Sequence, residues 1–239
     1  MHRRIGRHAR HCTTRRTPRT GYRDVMATSV RYRPITVERL VAELADRVAD
    51  LAARTRWTRV LVDGAETATD STGLADALVD PLRVRGRPVL RVSARDFLRP
   101  ASLRYERGRH DPDVRYEDWL DVAGLRREVL DPLEDSGTGH VLPALWDADR
   151  DRAFRLPRTR LPDGGVVLVD GELLLGQGLP AELTVHLWLS PGALRRRLPD
   201  DTHWALPAYA RYDEEVRPVE LADVVVRMDD PQRPALREG

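Results

Sequence analysis

Short apolar segments alternate with amphipathic segments along most of the chain. Strand patterns rich in Val and Leu cover residues 58–63, 88–93, 165–170, 183–189 and 222–227. Helical spacing of apolar residues covers 36–51, 64–86, 116–133, 193–198 and 208–216. Continuous apolar strands separated by amphipathic helices are typical of a parallel sheet that is covered on both faces. We therefore expect one α/β domain over residues 35–230, followed by a C-terminal tail at 231–239.

The first 30 residues differ from the rest in both pattern and charge. Residues 1–25 contain eight arginines and one acid, Asp24, whereas the whole chain carries +2, so the remainder carries −5. A segment with so few large apolar residues is predicted to be disordered. One interpretation is sequence upstream of a start at Met26, and the alternative is an arginine arm for nucleic acid. The acidic body argues against nucleic acid as a partner.

Composition excludes several kinds of site and compartment. The single cysteine, Cys12, excludes an internal disulfide and a cysteine-built zinc site, and no apolar run is long enough for a membrane helix. We expect a cytoplasmic protein that does not bind membranes. All 40 basic residues are arginine, so no lysine can bind phosphate or form a Schiff base.

The loop after the first long strand has the layout of a phosphate-binding loop, G-x-x-x-x-G-K-[ST]. Gly64 and the pair Ser71-Thr72 fit, but Thr69 stands at the second glycine and Asp70 at the lysine. Two unit charges ~4 Å apart interact by ~4 kcal/mol at an effective dielectric of ~20, so this charge reversal would weaken phosphate binding by several kcal/mol. The other interpretation is an ordinary strand-to-helix turn, with Asp70 or Ser71 as the N-cap residue.

The order of several motifs resembles the uridine kinase family, particularly its actinobacterial branch, over residues 59–234. The matching segments are VDG at 62–64, LADAL at 74–78, VSARDFLRP at 92–100, RYERGR at 104–109, DPD at 111–113, ALWD at 144–147, VVLVDG at 166–171 and ADVVV at 222–226. The resemblance implies a three-layer, P-loop-kinase-like α/β fold. It also implies ATP and Mg²⁺ as cofactors, if the protein is active, and a small-molecule nucleoside or nucleotide as the partner.

The resemblance also implies roles for individual residues. Asp96 matches the base that takes a proton from the acceptor hydroxyl, and Ser71 and Asp170 match the magnesium side of the site. The implied phosphate- or nucleotide-binding residues are Asp63, Gly64, Thr69, Asp70, Ser71, Thr72 and the lid arginines Arg195, Arg196 and Arg197. The implied acceptor-binding residues are Tyr105, Arg107, Arg109, Trp146 and Asp147. The simpler alternative for Asp96 is that it caps a turn in a loop. For the three lid arginines, the simpler alternative is that they form a solvated face of a helix.

Two functional hypotheses follow. The first is ATP-dependent phosphoryl transfer to a nucleoside or a similar small hydroxyl compound, which requires an arginine in place of the missing lysine. The second is a catalytically impaired pseudo-kinase that binds a ligand or a protein, suggested by Asp70 and by a lid that is short before Pro199. The sequence leaves the oligomeric state open.

Overall fold

A computed structural model describes residues 31–238, except for the side chain of Glu66. In chain order the strands are β1 Arg31–Pro34, β2 Trp57–Gly64, β3 Val89–Ser93, β4 His140–Val141, β5 Trp146–Asp147, β6 Arg152–Ala153, β7 Thr159–Arg160, β8 Gly165–Gly171, β9 Leu183–Trp188, β10 Val224–Arg227 and β11 Ala235–Glu238. The helices are α1 Val37–Ala52, α2 Glu66–Thr69, α3 Ser71–Val84, α4 Ala101–Arg104, α5 Pro112–Asp118, α6 Val122–Leu125, α7 Pro191–Arg197, α8 Leu206–Glu215 and α9 Pro218–Leu221.

Seven strands form the main sheet, in the order β1-β11-β10-β9-β2-β8-β3. The five strands from β10 to β3 are parallel, which confirms the predicted parallel sheet. The register places Asp63 beside Gly171 and His186, and Ser93 beside Asp170. The carboxyl ends of β2, β8, β9 and β3 therefore meet at one edge, where an open parallel sheet binds ligands.

Two antiparallel edge strands extend the sheet beyond the predicted domain. β11 pairs with both β10 and β1, so residues 235–238 are not a C-terminal tail, and the sheet begins at Arg31 rather than at residue 35. The sequences RYRP and ALRE are short and charged, as is common for strands at an exposed sheet edge. Because they contain no apolar run, the hydrophobic pattern did not predict them as strands. The predicted disorder of residues 1–30 lies outside the described residues.

Successive strand residues face opposite layers of helices. Val60 and Val62 pack with α1 and α3 in one core, whereas Leu61 packs with α7 and α8 in the other. This alternation gives the expected three layers, with helices on both faces of the sheet. No helix within residues 31–238 is long and apolar enough to cross a bilayer.

The helix expected over residues 116–133 is broken into several pieces. α5 ends at Asp118, Leu120 forms an isolated bridge with Leu98, and Asp121 starts α6 by accepting a hydrogen bond from the Gly124 N–H at 2.8 Å. A π-helical turn and a 3-10 turn then cover Arg126–Leu130 and Asp131–Leu133. The aspartate therefore starts a new helix within a segment whose apolar spacing predicted one continuous helix, and that prediction was wrong.

Candidate functional site

The loop after β2 is folded into the helical turn α2. The backbone N–H groups of Ala68 and Thr69 both donate to the Ala65 carbonyl at 2.8 Å, and the Thr69 hydroxyl donates to the same oxygen at 3.0 Å. A phosphate-binding loop instead points such N–H groups toward the ligand. These two donors are therefore bonded within the chain.

Gly64 lets this turn lie directly on the end of β2. A Cβ at Gly64 would stand 2.5 Å from Thr69 Oγ1 and 3.0 Å from Leu187 Cβ. Thr69 is only 2% exposed. The glycine is thus needed for the close approach of the protein's own chain, and Thr69 fills the space above it.

Asp70 caps helix α3 with its own carboxylate. Its backbone is left-handed, with φ 56°, and Oδ1 accepts a hydrogen bond from the Gly73 N–H at 3.0 Å. A Cβ at Gly73 would meet Asp70 Oδ2 at 2.3 Å, so this glycine makes room for the cap. A negative charge at a helix N-terminus is stabilising. Asp70 thus supplies the negative charge that a bound phosphate would bring, and the N-cap interpretation is confirmed.

Asp63 lies in a buried polar network beneath the loop. Its Oδ1 accepts from the Leu174 N–H at 2.9 Å, and its Oδ2 contacts the Tyr212 hydroxyl at 2.9 Å and His186 Nδ1 at 2.7 Å. The carboxylate is fully buried. Burial, reinforced by the charge of Asp63, raises the pKa of Tyr212. Asp63 therefore joins β2, β9 and α8, and its oxygens bond to the protein rather than face a nucleotide.

Asp170 is fully buried and lies against an arginine. Arg91 Nη2 lies 2.9 Å from Asp170 Oδ1, and the Thr72 hydroxyl donates to Asp170 Oδ2 at 2.8 Å. Arg91 Nε also lies 3.1 Å from Asp76 Oδ1. The sequence analysis assigned no role to Arg91, although an arginine inside the apolar strand β3 indicates a buried charged partner. It places a fixed cation beside the carboxylate that was predicted to face magnesium.

The charges at this corner oppose a magnesium-bound triphosphate. Ser71, the predicted magnesium ligand, is fully buried, and neither its hydroxyl nor Asp170 Oδ1 has a hydrogen-bond partner within residues 31–238, so these two oxygens could still ligate a metal. A triphosphate would meet the Asp70 carboxylate where lysine normally stands, and Mg²⁺ would compete with the Arg91 guanidinium for Asp170.

Asp96 lies on the other side of Asp170, in the 3-10 turn Ala94–Phe97 that follows β3. Burial is the main cause of its raised pKa, with a smaller contribution from Asp170 and Asp147, while Arg91 and Arg95 act in the opposite direction. Its carbonyl accepts from the Leu145 N–H at 3.0 Å, which ties the turn to the segment before β5. A half-buried carboxylate with a raised pKa is suited to accepting a proton.

A cavity opens beside this turn, lined by Arg95, Leu98, Arg115, Trp119, Leu120 and Glu172 among others. Arg115 pairs with Glu172, which also accepts a hydrogen bond from the Tyr209 hydroxyl. The Arg115 guanidinium stacks on Trp119, 4.5 Å from the ring centroid. Burial raises the pKa of Tyr209. Sequence reasoning missed these residues, because they come from distant segments and match no motif.

The predicted acceptor residues near α4 lie at the margin of this cavity. Tyr105 packs edge-on against Trp119, with ring centroids 5.9 Å apart, and Arg109 lies over the Tyr105 ring at 5.3 Å. Arg107 is exposed. Tyr105 thus reaches the cavity only through Trp119, and Arg109 contacts the tyrosine instead of an open pocket.

Trp146 and Asp147 build the hairpin of β5 and β6. Asp147 accepts from the N–H groups of Asp149 and Arg150 at 3.1 and 3.0 Å, and from Arg150 Nη1 at 3.0 Å. These bonds, the backbone one from Arg150 above all, hold the pKa of Asp147 below its usual value. Trp146 Nε1 donates to Asp151 at 3.1 Å. Both residues have structural partners in the hairpin.

The three lid arginines have different positions. Arg197 donates to the Ala68 carbonyl at 3.1 Å and to the Asp229 carbonyl at 3.0 Å, so it fastens the loop to the segment after β10. Arg195 and Arg196 are exposed on α7. Trp204, in the 3-10 turn Asp200–Ala205 after the lid, packs on Trp119 with centroids 5.7 Å apart. One lid arginine therefore reaches the loop, and the turn that follows the lid contacts the acceptor side.

Comparison with known proteins supports the fold. No protein-family model matches the chain, and no curated protein matches it in sequence. Among solved structures, it is similar to a possible uridine kinase from Bacillus stearothermophilus, with TM-score 0.57 and 20% identity over 77% of this chain and 98% of that one. A candidate fructose transport system kinase from Silicibacter sp. TM1040 gives TM-score 0.52 and 21% identity, over 76% and 94% of the two chains. For the protein YGR205w the TM-score is 0.57 and the sequence identity is 11%, over 85% of this chain and 99% of that one.

These similarities define the class of fold. The chain has the α/β fold of uridine kinase and related P-loop kinases, as its motifs predicted. It spans nearly the full length of each of these structures. At such low sequence identity, the similarity shows the fold but does not show which reaction, if any, the protein catalyses.

Proposed function

We propose that this protein is a pseudo-kinase that binds a small, hydroxyl-bearing ligand of the nucleoside class on the acceptor side and does not use ATP. The single observation that carries the proposal is the Asp70 carboxylate, bonded at 3.0 Å to the Gly73 N–H at the start of α3. Phosphate-binding loops use such a helix N-terminus for the anion.

Arg91 supports the same proposal from the other side of the loop. Phosphoryl transfer depends on metal ions and cationic groups that are positioned against the phosphate oxygens. Here the Asp170 carboxylate already has a guanidinium at 2.9 Å and a threonine hydroxyl at 2.8 Å. A metal ion at Asp170 would therefore have to compete with the Arg91 guanidinium, which also lies 3.1 Å from Asp76.

The acceptor side has the character of a ligand site. Its cavity combines apolar walls, Leu98, Trp119 and Leu120, with the polar groups of Arg95 and Glu172. Concave sites that bind small molecules combine an apolar lining with a few placed polar groups. The cavity has a volume of only about 30 Å³, so a flat ring with hydroxyl substituents enters it only when the surrounding side chains move apart.

The test of the donor side is calorimetric titration of the full chain with ATP, with and without magnesium. We expect no binding tighter than about 100 μM, which corresponds to ~5.5 kcal/mol. The double variant Thr69→Gly/Asp70→Lys should gain ATP affinity, since it removes a negative charge and restores a positive one. Asp80→Lys is the matched control, because Asp80 lies exposed on the same helix. Micromolar binding of Mg·ATP by the unaltered protein would overturn the proposal.

The test of the acceptor side uses the fluorescence of Trp119. Uridine, cytidine and other nucleosides are titrated into the protein and into Trp119→Phe. A ligand in the cavity should change the emission of the unaltered protein, and the change should be smaller in the variant, where only the neighbouring Trp204 reports on the cavity. Nucleoside titrations that change neither protein would contradict a nucleoside-class ligand.

A second candidate function is phosphoryl transfer itself, favoured by one observation. Asp96 retains the position after β3 and the raised pKa of a general base. Nucleoside-dependent release of ADP by the unaltered protein, lost in Asp96→Asn, would establish this alternative.

A further inference from the structure

The β5–β6 hairpin and the residues after it form a second cavity. It has a volume of about 530 Å³ and is lined by Asp147, Arg150, Arg152, Ala153, Phe154 and Arg155. Three arginines therefore face one small space that contains a single carboxylate.

The charge of this cavity is not balanced from within. Asp147 is occupied by Arg150, with Nη1 and Oδ2 3.0 Å apart. Arg152 and Arg155 are exposed, and neither takes part in an ion pair among residues 31–238. The cavity therefore keeps two arginines, Arg152 and Arg155, whose guanidinium groups are not engaged in an ion pair among residues 31–238.

The backbone holds these arginines in place. Asp147 pairs with Arg152 across the hairpin, and the Phe154 N–H donates to the Leu145 carbonyl at 3.0 Å. Asp151 fixes the turn by accepting from the Ala101 N–H at 2.7 Å. Positively charged side chains on a fixed hairpin lose less freedom on binding than those on a free tail.

We propose that this cavity binds a small phosphate-bearing molecule. The guanidinium groups of Arg152 and Arg155 bind the phosphate oxygens in the forked geometry that arginine favours. Phe154 offers an apolar surface to the rest of the ligand. The site is separate from the loop at Asp70, so the inference holds whether or not the protein binds ATP.

The surroundings favour a small ligand over a nucleic acid. Asp149 and Asp151 flank the arginines, and residues 26–239 carry a net charge of −5. A long phosphate chain would meet these carboxylates, whereas one or two phosphate groups need only the cavity.

The experiment compares UMP with uridine, which differ only in the phosphate, and adds pyrophosphate as a probe without a ring. It uses calorimetry on the full chain in the absence of ATP. We expect UMP or pyrophosphate to bind at least about tenfold tighter than uridine, as charge-assisted hydrogen bonds to phosphate imply. The double variant Arg152→Gln/Arg155→Gln should remove that advantage. Arg54→Gln/Arg233→Gln is the control, since it removes the same charge at two exposed arginines elsewhere.

Three results would overturn the proposal. One is that neither UMP nor pyrophosphate binds better than uridine. Another is that the phosphate advantage survives in Arg152→Gln/Arg155→Gln while that variant remains folded by its thermal unfolding. The third is that a single-stranded RNA binds but the two small probes do not. None of these results depends on ATP titrations, so this failure is distinct from failure of the pseudo-kinase proposal.

Discussion

The donor corner, defined by residues 64–73 with Arg91 and Asp170, differs from the acceptor side around Asp96 and Trp119. At the donor corner the polar groups bond to one another: Asp70 with Gly73, Thr69 with Ala65, and Asp170 with Arg91 and Thr72. On the acceptor side Glu172 is likewise paired with Arg115 and Tyr209, beside a small cavity of about 30 Å³ lined by both polar and apolar side chains. The two regions therefore differ in charge rather than in openness, since a cavity of about 320 Å³ also lies beside Thr69 and Asp70. The donor corner has a carboxylate at the lysine position of the loop, whereas the acceptor side keeps the Asp96 carboxylate with a raised pKa.

The largest expected effect tests the network beneath the donor corner. Asp63→Ala leaves the Leu174 N–H, the Tyr212 hydroxyl and His186 without their partner in a buried place. We expect a loss of about 3–5 kcal/mol in the free energy of unfolding, measured by urea denaturation. The control, Asp80→Ala, removes an exposed carboxylate and should change stability little. An equal, small effect in both variants would show that Asp63 carries no such structural role.

The next effect tests the internal ion pair. Arg91→Met strands the buried Asp170 carboxylate and should cost about 3 kcal/mol of unfolding free energy. Arg91→Met/Asp170→Leu should recover most of that loss, since both charges are then gone. Additive losses in the double-mutant cycle would mean that the two side chains do not couple.

A smaller effect tests the fit of the cap on α3. Gly73→Ala places a Cβ 2.3 Å from Asp70 Oδ2 and should cost about 1–3 kcal/mol. Thermal unfolding of Gly73→Ala in an Asp70→Gly background should show a much smaller cost, because the carboxylate is absent. If Gly73→Ala lowers the stability equally in both backgrounds, the Asp70 cap is not the reason that position 73 requires glycine.

The smallest effect concerns the acceptor side. The pKa of Asp96 is raised in the folded protein, chiefly by burial, so the charged form opposes folding. The folded state then binds more protons than the unfolded state, and stability falls as pH rises through the ordinary carboxyl range. Asp96→Asn should therefore have a higher Tm than the unaltered protein at about pH 7, and this advantage should vanish below about pH 4. A lower Tm for the variant at neutral pH would contradict the burial argument.

Much of the central sheet could be predicted from the sequence because each of its strands is an apolar run bounded by polar turns. Strands β2, β3, β8, β9 and β10 were all expected within one or two residues. The edge strands β1 and β11 could not be predicted, because their pairing depends on a partner that is distant in sequence and because their own residues are charged.

The candidate site was predictable in part. The position of the loop, the charge reversal at Asp70 and the placement of Asp96 and Asp170 follow from local sequence. Arg91, Arg115, Glu172 and Tyr209 could not be assigned, since each acts through a partner from another element.

The sequence by itself determined the order of the five central strands and the charge at each position of the loop, because apolar periodicity and side-chain charge are local properties. Tertiary structure alone decided what those charges do. Folding brought Arg91 of β3 against Asp170 of β8, and His186 of β9 and Tyr212 of α8 against Asp63 of β2. The energy of a buried charge depends on the groups that surround it, and those groups come together only when the sheet and its two helical layers are assembled.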